Sequence, residues 1–347
     1  MQDNTINQFE QPMKTPKDST EKEKIFDAKK IFSTVALVIL GVIIIATAIV
    51  VALKLLEKPN EAPTDDNIST VTPGPEPEPT VPEKIDLQLA LNQWVTTQPH
   101  AANSGVLIYD IDNDEIVARH NEDTKFRIES IYKMFVAYEG YYRVDHGQWD
   151  GNTRALNWND FKGSPYTISL CLDYMIRYSY SSCAENIWQR IGQANLQTIY
   201  NEKGYKNTSI AGITSTPADL TKLYQQYWNH SDLSEESWKK IKDSMLNQVP
   251  ATKDTTYARN WRQGLPSGFS TAIVYDKVGW YGDGNGNWYY YDDAAFLVFP
   301  EIEKNKDGEK KLERHYIMIV LTKNTSPKEL VKLGRKIEEA VKTADNY

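Results

Sequence analysis

The chain has 347 residues, enough for one large domain with accessory segments or for two domains. Its net charge of −8, with no basic block in the part expected to fold, argues against nucleic acid as the main partner. Two cysteines, Cys171 and Cys183, allow neither a disulfide-dense scaffold nor a four-ligand zinc site, and the scattered histidines (His100, His120, His146, His230, His315) form no close pair, so no metal is expected.

Residues 1–30 are polar and charged without apolar periodicity and read as a disordered cytoplasmic tail. Ile31 to Leu53 form an uncharged, mostly apolar run, long enough for a membrane-spanning helix of ~20 residues. We bound that helix at 31–55. The long leader favours an uncleaved anchor over a signal peptide. Lys22, Lys24, Lys29 and Lys30 precede the run against Lys54 and Lys58 after it, which favours an inside N-terminus and an extracellular C-terminal domain at the cell membrane. Residues 56–84 are rich in Pro, Glu and Thr and read as an extended spacer.

Residues 85–347 carry the patterns of a folded domain. An amphipathic helix is expected from Ile85 to about Thr97, then strands Ser104 to Asp110 and Glu115 to Arg119. Asp110, Asp112 and Asp114 resemble the start of a calcium loop. Glu115 and Asn121 stand where that loop needs its glycine and its final acid, so a hairpin turn is expected. Helices follow at Ser130 to Arg143, Ser169 to Tyr178, Ser182 to Ile191, Asn195 to Lys203, from Thr216-Pro217 to Trp228, and Ser234 to Leu246. Strands return at Thr271 to Val278, Trp288 to Phe299 and His315 to Thr322, and Ser326-Pro327 opens a last helix. The order implies an α+β fold: a five-stranded antiparallel sheet, terminal helices on one face, and a helical block inserted between strands two and three on the other. No G-x-G-x-x-G or Walker loop occurs, so no cofactor is expected.

The stretch Phe126-Arg127-Ile128-Glu129-Ser130-Ile131-Tyr132-Lys133-Met134 places a Ser-x-x-Lys pair at a loop-to-helix junction. Three residues apart on a helix, Ser130 and Lys133 share a face. A lysine kept neutral by its surroundings can take the proton of a serine hydroxyl and make it a nucleophile. The spacing alone decides nothing, since Ser19/Lys22 and Ser237/Lys240 repeat it.

Two further stretches give it context. Ser179-Tyr180-Ser181, between two helices, resembles the Ser-x-Asn element of penicillin-interacting enzymes. Lys277-Val278-Gly279, at the end of a strand, resembles their Lys-Thr-Gly element. In this order and fold the chain resembles the class A β-lactamase-like and penicillin-binding-protein-like serine hydrolases from about Leu87 to Val341. The resemblance implies that Ser130 forms an acyl-enzyme, Lys133 accepts its proton, and Ser179 relays a proton to the leaving nitrogen. It implies that Lys277 steadies Ser179 and helps bind a substrate carboxylate, and that the N–H groups of Ser130 and Trp280 form an oxyanion hole, with Ser181 and Gly279 along the substrate. Arg262 is a candidate for that carboxylate, against the plainer reading of a surface ion pair.

Departures from the pattern bear on activity. Ser181 replaces the asparagine, Val278 the hydroxyl residue, and no Glu-x-x-Leu-Asn element lies between Ile191 and Thr216 to activate a deacylating water. The expected function is therefore a cell-surface serine hydrolase acting on a peptide or amide related to the cell wall, peptidoglycan among its partners, or on a β-lactam with slow deacylation. The alternative is a non-catalytic surface binding domain of the same descent. Trp280 and Trp288-Tyr289-Tyr290-Tyr291 either line a cleft or pack a strand. Cys171 and Cys183 flank the second motif as a disulfide or as two buried thiols.

Overall fold

The computed structural model describes residues 86–345, except 160–162, 164, 231, 247–262, 284–286, 304, 307 and 309. The expected tail, membrane-spanning run and spacer lie outside the described residues, as does Arg262. Among the described residues, no helix is long and apolar enough to cross a membrane.

Helix α1 (Leu87–Thr97) starts where the Asp86 side chain accepts the Leu89 N–H at 2.8 Å. A hairpin of β1 (Gly105–Asp110) and β2 (Glu115–His120) follows. In its turn Asp110 accepts the Asn113 N–H at 3.0 Å and Asp112 bonds His315 at 2.8 Å, so these two carboxylates serve the turn. After β3 (Phe126–Arg127) come α2 (Tyr132–Asp145), β4 (Arg154–Asn159), β5 (Pro165–Thr167), α3 (Ile168–Arg177), α4 (Ser181–Ile191) and α5 (Gln193–Glu202). Then follow β6 (Thr214–Ser215), α6 (Pro217–Asn229) and α7 (Glu235–Leu246). The chain closes with β7 (Ile273–Gly282), β8 (Trp288–Phe299), β9 (Arg314–Leu321) and α8 (Pro327–Asp345).

The sheet order is β2-β1-β9-β8-β7, every neighbour antiparallel. Its central strands are apolar on both faces, which sorts alternate residues into two cores. On β9, Tyr316, Met318 and Val320 join the core under α1 and α8, while Ile317, Ile319 and Leu321 join the core under the helical block. This is the expected architecture. Thr216 caps α6 by accepting the Asp219 N–H at 3.1 Å, with Pro217 in first position.

Three expectations need correction. Ser130 does not sit on the α-helix but in a tight 3-10 turn, Glu129–Ile131, just before α2. That turn begins with Glu129 at φ +37°, a left-handed conformation that an α-helix does not contain. Strand β7 does not end at Val278; it pairs with β8 through Gly282, so Val278, Gly279 and Trp280 are strand residues. The β4–β5 hairpin and the β3–β6 pair were not expected, because each includes a strand of only two or three residues, too short to show alternation.

Candidate active site

Three elements meet at Lys133. Its Nζ donates to Ser130 Oγ at 3.0 Å, to the Ser179 carbonyl at 2.6 Å, and lies 3.1 Å from Ser179 Oγ and 3.2 Å from Ser181 Oγ. Lys277 Nζ, from β7, lies 3.1 Å from the same Ser179 Oγ and donates to the Val278 carbonyl at 2.8 Å. The Ser179 hydroxyl thus bridges two lysines, one behind the nucleophile turn and one on the sheet.

Both lysines are buried, at 1% and 0% exposure. Burial, then the charge of Lys277, holds Lys133 well below the ordinary lysine range, against the pull of Glu185 and Glu129. Burial likewise lowers Lys277 to about 7, opposed by Asp276 and Asp293. Two ammonium groups sharing one buried hydroxyl would repel, so the arrangement favours a neutral amine at Lys133, the state a base needs.

The local backbone explains the meeting. Only three residues join α3 to α4, and Ser179 at their centre has φ +52°, a left-handed conformation unfavourable for serine. That turn aims both its carbonyl and its hydroxyl at Lys133. A disulfide joins Cys171 on α3 to Cys183 on α4, Cα atoms 4.8 Å apart, and ties the two helices on either side of the turn. Of the two readings of these cysteines, the structure has the bonded one.

Gly279 sets the approach of β7 to the nucleophile turn. A Cβ there would meet the Ile128 carbonyl at 2.6 Å and Ser130 N at 3.2 Å. The strand backbone therefore lies against that of Ser130, with Trp280 next along it. Val278 points the other way, into the core under α1 and α8, so its missing hydroxyl is not simply exchanged for an apolar cleft wall. Ser181 does reach the centre despite its shorter side chain. Trp280 and Trp288 pack edge to face at 5.4 Å, and Trp288 and Tyr291 at 5.3 Å, so much of the aromatic cluster packs the strand surface. Tyr289 is the exposed member, and it packs against Tyr281, an exposed neighbour on β7 that the sequence reading did not include. The repeat of the motif at Ser237 and Lys240 has other duties: Ser237 Oγ donates to Asp145 at 2.8 Å and Lys240 pairs with Glu236 at 2.7 Å.

Sequence reasoning missed three carboxyl groups here. Glu129 pairs with Arg127 at 2.8 Å; burial raises it, and Arg127 opposes the rise. Asp292 lies opposite Gly279 in the strand register and is fully buried. Its Oδ1 accepts the Thr322 N–H at 2.7 Å, and burial pushes it well above the carboxylate range. An aspartate inside the apolar run of a strand that is buried from Tyr291 onward was the available signal. Glu185, exposed on α4, was signalled by standing four residues after Ser181.

The family described as the beta-lactamase enzyme family (Beta-lactamase2) matches residues 86–343. No curated protein matches the chain. Among solved structures, PBP-A superposes with a TM-score of 0.56 at 21% identity, over 74% of this chain and 96% of that one. A β-lactamase from Chitinophaga pinensis gives 0.56 at 17% identity, over 75% and 99%. A PBP-A mutant in acyl-enzyme complex with penicillin G gives 0.56 at 22%, over 74% and 96%. These likenesses show a shared fold, and the family match extends over nearly all of the described domain. The chain belongs to the β-lactamase enzyme family and is a serine-hydrolase-type protein.

Proposed function

We propose that the domain is a serine acyl-enzyme hydrolase in which Ser130 is the nucleophile and Lys133 its base. The observation that carries this reading is the 3.0 Å contact between Ser130 Oγ and a buried Lys133 Nζ whose affinity for protons is lowered. Lys133 takes the Ser130 proton as Oγ bonds to the carbonyl carbon. Ser179, touching both lysines, passes a proton to the leaving nitrogen as the C–N bond breaks and regains one from Lys133, 3.1 Å away, which returns that amine to its neutral state. Lys277 steadies Ser179 and raises the local positive potential. The N–H groups of Ser130 and Trp280, on either side of the close approach at Gly279, receive the oxyanion; such a donor is typically worth ~3–4 kcal/mol.

The substrate we infer is a peptide or amide related to the cell wall, or a β-lactam that acylates faster than it is released. The relatives support the second: the PBP-A mutant structure is an acyl-enzyme complex with penicillin G. The apolar run at 31–55 and the Pro-rich spacer at 56–84 support an anchored domain held outside the cell membrane, near peptidoglycan. Arg262 remains our candidate for a substrate carboxylate. The test is intact mass after incubation of the domain with a reporter penicillin, beside Ser130→Ala. An adduct on the wild type alone is expected. Equal adduct on both proteins refutes Ser130 as nucleophile.

A further inference from the structure

An acyl-enzyme is released only if a group activates water; the Glu-x-x-Leu-Asn element of the family pattern is missing between Ile191 and Thr216, where the one acid, Glu202, stands exposed at the last position of α5. The carboxyl groups around Ser130 can be sorted by their surroundings. Glu129 is held by Arg127 at 2.8 Å, with its side chain only 13% exposed. Asp292 is sealed at 0% exposure beneath the nucleophile turn. Asp276 and Asp293 belong to the opposite face of the sheet, since Val278, which alternates with Asp276 and is paired with Asp293, packs into the core under α1 and α8. Glu185 is exposed to water.

Its placement follows from α4. Ser181, Glu185 and Trp188 stand at i, i+4 and i+7, one stripe of the helix. Both flanking members of the stripe touch the nucleophile's own segment. Ser181 Oγ lies 3.2 Å from Lys133 Nζ, and the Trp188 ring packs on Tyr132 with centroids 5.7 Å apart. Glu185 is thus bracketed over Tyr132 and Lys133, and its charge is felt at both residues. We propose that Glu185 is the base that activates the hydrolytic water on acyl-Ser130, an inference that rests on the serine-hydrolase reading above.

The step balances. Water gives one proton to the Glu185 carboxylate as its oxygen bonds to the acyl carbon. The bond from that carbon to Ser130 Oγ then breaks, and the product leaves as a carboxylic acid. The proton on Glu185 returns by way of Lys133 to Ser130 Oγ, which restores both the carboxylate and the free hydroxyl. Acylation does not use Glu185, so the two half-reactions separate under mutation.

The experiment follows adduct formation and decay by intact mass in wild type and Glu185→Gln, with a penicillin and with an activated p-nitrophenyl ester. Glu185→Gln is expected to acylate within about threefold of wild type and to release the acyl group roughly 10²-fold more slowly. Equal decay in the two proteins overturns the proposal, as does a wild-type adduct that does not decay at all. Adduct formation in either of those cases leaves the serine-hydrolase reading standing. No adduct on the wild type from either probe overturns both.

Discussion

On the face of the sheet covered by α1 and α8, the core is mostly aliphatic: Leu87, Leu91, Leu330, Leu333, Ile337 and Val341 meet Val106, Ile108, Met318 and Val320. On the opposite face, tyrosines are prominent, and three of their hydroxyls reach backbone carbonyls. Tyr227 donates to Met134 at 2.6 Å, Tyr200 to Phe135 at 2.8 Å and Tyr224 to Ala294 at 3.0 Å. Two of these carbonyls belong to the first turn of α2, immediately after Ser130. The first face holds the sheet mainly by burial, which is non-directional, with the Trp94 ring N–H of α1 donating to the Glu329 carbonyl of α8 at 2.8 Å. The second adds hydrogen bonds, which fix direction, beside the two buried lysines. Stability and chemistry are thereby assigned to different sides of one sheet, and mutations on the two sides should separate them.

The largest effect is expected on the reactive side. Lys133→Met keeps the buried aliphatic stem and removes the amine, so serine labelling by a β-lactam or activated ester should slow by ~10²–10⁴-fold with little loss of stability. Labelling at the wild-type rate would show that another group deprotonates Ser130. The converse belongs to α8. Leu333→Ala should cost about 2–5 kcal/mol in urea unfolding and leave the labelling rate of the folded protein unchanged. A fall in that rate comparable with Lys133→Met would break the separation.

The sheet and its two covers were legible in the sequence because β1, β8 and β9 are long and apolar and the helices carry caps such as Thr216-Pro217. Ser130, Lys133, Ser179, Ser181, Lys277 and Gly279 were legible as three short motifs, and the structure brings them together. What was not legible depends on through-space proximity. Nothing in the order of residues says that Asp292 lies opposite Gly279, since that is a matter of strand register. The 3-10 turn at Ser130 escaped because a left-handed Glu129 has no composition signal. The bond between Cys171 and Cys183 could be neither asserted nor denied until α3 and α4 were seen side by side.

A smaller effect separates function from stability within the reactive side. Burial holds Lys277 at about 7, against an ordinary value of 10.5. Between those values the folded protein carries fewer protons at this site than the unfolded chain, so stability from this group rises with pH across the window and is lost as pH falls through about 7. Lys277→Met should therefore be more stable than wild type by about 1–2 kcal/mol at neutral pH. The gap should close toward pH 10.5, while serine labelling declines. Melting curves of the two proteins from neutral to alkaline pH test the sign; a gap that widens with pH would mean Lys277 is stabilised as a cation.

The smallest effect tests whether the tyrosine hydroxyls do more than fill space. Tyr227→Phe keeps the ring, its edge-to-face contact with Tyr138 at 5.0 Å and its stacking on Trp238 at 6.4 Å, and deletes only the bond to the Met134 carbonyl. The Met134 carbonyl keeps its place in the helix, so the loss should be about 1 kcal/mol, the net value of one buried hydrogen bond. If that bond also fixes the direction of α2, labelling of Ser130 should slow by a few-fold, because a shift of α2 carries Lys133 away from Ser130 Oγ. Tyr224→Phe removes the equivalent bond to Ala294, which lies on β8 and not on α2, and should cost similar stability with no change in labelling. Equal labelling by both variants would mean that the tyrosines of the reactive face, like the leucines of the other, serve the fold alone.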